Sequence, residues 1–125
     1  MQAVDIVNYA LAALSILFGA LALLWPDYAM RALSLQSADG KMDGKSELRG
    51  ASGGAFVVLG AAAGALGPAW PLAWVMMGVH YAGAAVGRGL SFVFDGSGSR
   101  KMWFFFAIEV VFAAWLIGAN WSRIG

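Results

Sequence analysis

The stretch Gly78-Val79-His80-Tyr81-Ala82-Gly83-Ala84-Ala85-Val86-Gly87-Arg88-Gly89-Leu90-Ser91-Phe92-Val93-Phe94-Asp95-Gly96 decides the fold. It places an imidazole and a guanidinium inside an apolar run long enough to cross a bilayer. An arginine in that setting costs about 2.5 to 3.5 kcal/mol on insertion scales, so it needs a partner. The next apolar run holds one carboxylate, Glu109. The central expectation is therefore an Arg88 to Glu109 pair between neighbouring helices.

Composition bounds the rest. The chain has 125 residues, 61% hydrophobic and 12% charged, with a mean hydropathy of +0.73, against a soluble average of about 25% charged. This is the composition of a membrane protein, and one helical bundle uses the whole length, so a single domain is expected. The net charge of +1 comes from basic residues scattered through connections, not from a run or stripe, so nucleic acid is not an expected partner. Cysteine is absent, which removes disulfides, thiolate nucleophiles and thiolate metal sites. Residues Met1 to Asp5 carry no Lys or Arg, and the apolar run after them exceeds the usual leader core of about 7 to 15 residues; a cleavable signal peptide is not expected.

Four apolar segments follow in order, at about residues 6–25, 48–66, 72–94 and 102–120. The first is about 20 residues, roughly 30 Å as a helix, which matches a hydrocarbon core. Asn8, Ala12, Ser15, Gly19 and Ala22 fall on one face of it, and that face should pack inward. Pro26 ends this span or opens the next piece. Residues 27–36 read as a short interfacial helix, with Tyr28 and Leu35 toward acyl chains and Arg31 toward headgroups. Asp39-Gly40 and Asp43-Gly44 read as turns, and a calcium loop starting at Asp39 fails because Lys41 and Gly50 occupy ligand positions. Ser46 is the expected N-cap of the second span. That span is rich in Gly and Ala, only marginally apolar, and carries two G-x-x-x-G pairs, Gly50/Gly54 and Gly60/Gly64, read as sites of close helix packing. Seven of the eight basic residues lie in or beside the first and third connections and only Arg123 lies at the other surface. The positive-inside rule then makes those connections cytoplasmic and puts both termini outside. Trp25, Tyr28 and Trp103 should mark the inner interface, and Trp70, Trp74 and Trp121 the outer one.

The expected fold class is thus all-α: a polytopic membrane protein, an antiparallel bundle of four transmembrane helices with a short interfacial helix after the first span. Within it, Arg49 is the second candidate partner for Glu109, with Glu47 at headgroup level for the other arginine. The rival arrangement lets both arginines snorkel to the interface while Glu109 is protonated. His80 falls on a face with Gly83, Ala84, Gly87 and Ser91 and reads as a core imidazole held by a neighbouring hydroxyl or amide. A lone histidine makes a weak metal site, so no metal and no cofactor are expected. Met76 and Met77 read as packing. No serine has an identifiable base, no glycine-rich loop joins a strand to a helix, and the carboxylates are scattered; no catalytic residue and no enzyme are expected.

Glu47-Leu48-Arg49-Gly50-Ala51-Ser52-Gly53-Gly54, then Gly87-Arg88-Gly89-Leu90-Ser91-Phe92-Val93-Phe94-Asp95-Gly96, then Glu109 resembles a family of small bacterial four-helix membrane proteins catalogued as a domain of unknown function. The resemblance spans nearly the whole chain. It implies an integral membrane bundle with a polar cluster of Glu47, Arg49, Arg88, Asp95 and Glu109, and it implies no activity.

Two functions follow as expectations. The first is a non-enzymatic accessory or structural component of the bacterial inner membrane, in contact with lipids and with other membrane subunits or its own copies. The second is a bundle that binds or transports a lipid, quinone or small cation in a space beside His80, Arg88, Ser91 and Glu109.

Overall fold

The computed structural model describes residues 2–125. Helix α1 is Ala3–Leu24, α2 is Pro26–Ala32, α3 is Asp43–Leu66, α4 is Leu72–Phe94 and α5 is Arg100–Asn120, continued by a short 3-10 turn, Trp121–Arg123. Among the described residues there is no strand. Among the described residues, three helices are long and apolar enough to cross a membrane: α1, α3, and α5 with its continuation. Helix α4 equals them in length, but His80, Arg88 and its glycines dilute its apolar character.

The contacts group the chain into two compact units, one of residues 1–8 and 66–125, the other of residues 9–65. In the second unit α1 and α3 pack antiparallel through small residues. A Cβ on Gly19 would sit 2.7 Å from the Gly53 carbonyl oxygen, and one on Gly60 would sit 2.7 Å from that of Ala12. Since a backbone carbonyl cannot step aside, both positions require glycine for this approach. The close contacts correct the motif reading: Gly50 has open space, Gly64 meets Tyr9 at an ordinary 3.8 Å, and the glycines that matter are Gly53 and Gly60, seven apart, with Gly19 opposite. The expected inward face of α1 is buried at Asn8, Ala12, Ser15, Gly19 and Ala22.

Pro26 opens α2, where its fixed φ suits the first helical position. Two residues past its end, Ser34 turns the chain with a φ of 58° that lets Leu35 donate back to the Met30 carbonyl, a Schellman-type stop. Ala29 and Met30 of α2 pack on Ala22 and Leu48, leaving Tyr28 and Leu35 exposed. The Asp39-Gly40 turn forms, with Gly40 at φ +70°. Asp43-Gly44 does not turn. It opens α3, so Ser46 lies inside the helix and is not its cap. Residues Leu48–Gly54 of α3 are π-helical; three glycines there let the backbone widen without steric penalty.

In the first unit α4 and α5 form an antiparallel hairpin. Asp95 ends α4, Gly96 turns the chain at φ +65°, and the Ser99 hydroxyl caps α5 by accepting from the Met102 N–H at 3.2 Å. Gly78 lies against Leu116 and Ile117, Tyr81 meets Phe112 edge to face at 5.0 Å, and Phe92 stacks on Trp103 at 4.2 Å. These pairs fix the register along the whole hairpin. Trp74 is wholly buried, which corrects its assignment to an outer aromatic belt; Trp70 and Trp121 are exposed. Met77 is wholly buried and Met76 exposed.

Candidate functional site

Register brings Arg88 opposite Glu109. Arg88 stands six residues before the end of α4 and Glu109 nine residues into α5, an axial offset of about 4.5 Å at 1.5 Å per residue. The arginine stem spans it. Nε donates to Glu109 Oε2 at 3.0 Å and Nη2 donates to Oε1 at 2.6 Å, the side-on bidentate fork that holds a carboxylate best. Nη1 reaches the Met102 sulfur at 3.3 Å, and the guanidinium carbon lies 5.5 Å from the centre of the Phe105 ring, within cation–π range. The side chains retain 25% and 11% of their exposure, so the pair is largely desolvated and neither member can lose the other cheaply.

The other expected site residues go elsewhere. Arg49 donates to the backbone carbonyl of Leu23. That oxygen belongs to the last turn of α1, which has no helical partner for its carbonyls, and a cation there also complements the helix dipole. Arg49 therefore caps α1 and does not compete for Glu109. Glu47 is exposed near the start of α3. Ser91 donates its hydroxyl to Asp95 at 2.9 Å, and Asp95 closes the end of α4, so this pair belongs to the turn. His80 is exposed, its ring edge-on to Tyr81 at 6.0 Å. This corrects the core reading: Trp74, Val75, Met77, Gly78, Tyr81 and Ala85 are the buried side of α4, and Gly83 and Gly87 lie with His80 on its open side.

A second polar network was not singled out in the sequence. Asn8 and Asn120 are wholly buried and exchange two amide hydrogen bonds, Asn8 Nδ2 to Asn120 Oδ1 at 2.8 Å and Asn120 Nδ2 to Asn8 Oδ1 at 3.2 Å. Trp115 Nε1 is a second donor to Asn8 Oδ1, at 3.1 Å. Arg123 donates to Asn120 Oδ1 at 2.7 Å and to Asp5 Oδ1 at 2.8 Å. The first residues of α1 are thereby tied to the last residues of α5. The signal was present in Asp5 and Arg123, opposite charges at the two ends of the chain, each a few residues from an asparagine in an apolar run.

Each acidic or amide oxygen of these two polar groups accepts from a fixed donor, and among the described residues no three His, Cys, Asp or Glu side chains converge on a point. The family model described as "Domain of unknown function (DUF4345)" matches residues 4–119, which take in the four long helices but for Ala3 and Asn120 at their outer ends, and the Arg88–Glu109 pair. The chain belongs to this family. No curated protein and no solved structure is significantly similar to it. Every residue of the sequence pattern around Glu47–Gly54, Gly87–Gly96 and Glu109 falls inside the DUF4345 match.

Proposed function

We propose that this DUF4345 protein is a non-enzymatic integral component of a bacterial inner membrane. It has four antiparallel spans with both termini outside, and it serves as a structural or accessory subunit beside lipids and other membrane chains. The observation that carries this reading is the occupied state of Arg88. Its fork is filled by Glu109, Met102 and Phe105, which leaves the guanidinium a register pin between α4 and α5. The same pairing supports α4 as the fourth span, because a neutralised arginine removes the main obstacle to burying that helix in lipid.

The competing reading, a binding or transport bundle, needs Glu109 to be available to a ligand or proton, whereas both its oxygens accept from Arg88. Glu109→Gln separates the two. As a register pin, its loss leaves a guanidinium without an anion and lowers stability by about 3 kcal/mol, and Arg88→Met/Glu109→Met together lose less than either single change. Detergent-solubilised protein unfolded in a graded denaturant reads both. A Glu109→Gln protein as stable as wild type, and altered only in uptake or binding of a small molecule, would overturn the structural reading.

A further inference from the structure

We propose that the cleft where α1 passes into α2 binds the phosphate group of an anionic phospholipid. The inference rests on the membrane reading above and adds a ligand site to it. The cleft holds about 310 Å³ and is lined by Trp25, Asp27, Tyr28, Arg31, Lys45 and Arg49, at the lower end of the range of small-ligand sites. Three cations face one carboxylate. Asp27 is taken up by Lys45 at 2.8 Å and Arg49 spends one N–H on the Leu23 carbonyl, so the cleft keeps an excess of positive charge carried by two guanidinium groups. Guanidinium forks match phosphate oxygens, and their weak hydration suits a partly desolvated surface.

The flanks select a lipid over a free anion. Leu24, Trp25 and Tyr28 are 60%, 58% and 56% exposed at the rim, apolar and amphipathic surface of the kind that sits at the level of glycerol and headgroups. A soluble phosphate would leave that surface wet. A phospholipid covers it with its glycerol and first methylenes while its phosphate meets the arginines. Net-negative headgroups are favoured over zwitterionic ones because each nearby cation adds about fivefold to binding at an anionic surface.

The test uses the full chain in a non-ionic detergent, with the thermal unfolding midpoint followed during titration with dihexanoyl phosphatidylglycerol, dihexanoyl phosphatidylcholine or inorganic phosphate. Phosphatidylglycerol is expected to raise the midpoint saturably and to bind at least tenfold more tightly than phosphatidylcholine, with no shift from phosphate at the same concentration. Arg31→Gln should weaken phosphatidylglycerol about fivefold, Arg31→Lys should retain most of the binding, and Arg100→Gln, on α5, should leave it unchanged. Equal shifts from the two lipids, an unaltered Arg31→Gln, or an equal loss in Arg100→Gln would overturn the site. A full shift from inorganic phosphate would overturn its assignment to lipid. Alkaline carbonate extraction of membranes holding the wild-type chain separates the two levels: release would sink the membrane reading and the site with it, whereas retention without headgroup preference would sink the site alone.

Discussion

At the scale of single residues, the polar side chains divide into pins and caps. Arg88 and Glu109 were legible because an arginine in an apolar run demands an anion and depth leaves one carboxylate within reach. Asn8 and Asn120 were harder to find, since an uncharged amide is tolerated in many places and nothing in the chain points to its mate. Their reciprocal bonds have a measurable consequence. Asn8→Ala removes both bonds between the two buried amides and the acceptor of the Trp115 N–H, leaving Asn120 only its bonds to the Leu116 carbonyl and Arg123, and should cost about 1 to 3 kcal/mol. Asn8→Leu/Asn120→Leu removes both partners and should cost less than the two single changes summed, by denaturant unfolding in detergent. Equal additivity would show that the two amides do not act as a unit.

At the scale of elements, periodicity placed residues on faces, but hydropathy could not say which face turns inward, because lipid and protein core are both apolar. The inward side of the first helix is legible since its small and polar residues share one face. The fourth helix misled: the small side with His80, Gly83 and Gly87 is open and the bulky side with Trp74, Met77 and Tyr81 is packed. The glycines report this difference. Gly60→Ala drives a Cβ into the Ala12 carbonyl and the Ile16 side chain and should destabilise by about 1 to 3 kcal/mol. Gly83→Ala meets nothing within 4 Å and should be neutral or stabilising by up to about 1 kcal/mol, as helix propensity predicts. The same denaturant series checks both, and a reversed order would contradict the packing. Between elements, Lys45 holds the Asp27 carboxyl below its usual range, chiefly by the hydrogen bond between them. A depressed carboxylate contributes stability that is present above its unfolded value of 3.8 and is lost as pH falls through the lower folded value. Unfolding midpoints of wild type and Asp27→Asn should therefore keep a constant gap from pH 7 to 5 and converge only below about pH 4. A gap that closes near pH 6 would assign the effect to another group.

At the scale of the whole molecule, the proposed function requires α4 to cross the membrane together with α1, α3 and α5. Composition alone qualifies those three; in the function proposed above α4 joins them, because Arg88 is not a bare charge once Glu109 lies beside it. The proposed arrangement puts the two ends of α4 on opposite sides, Ala69 outside and Ser97 in the cytoplasm. The chain has no native cysteine, so a single introduced thiol is the only reporter. The most direct measurement is labelling of Ala69→Cys and Ser97→Cys with a membrane-impermeant maleimide, in intact cells and again after lysis. If α4 spans, intact cells label Ala69→Cys alone and Ser97→Cys reacts only after lysis. Labelling of both positions from the same side would contradict the proposed function, because α4 would then not span and the Arg88–Glu109 pair would not be the device that lets it.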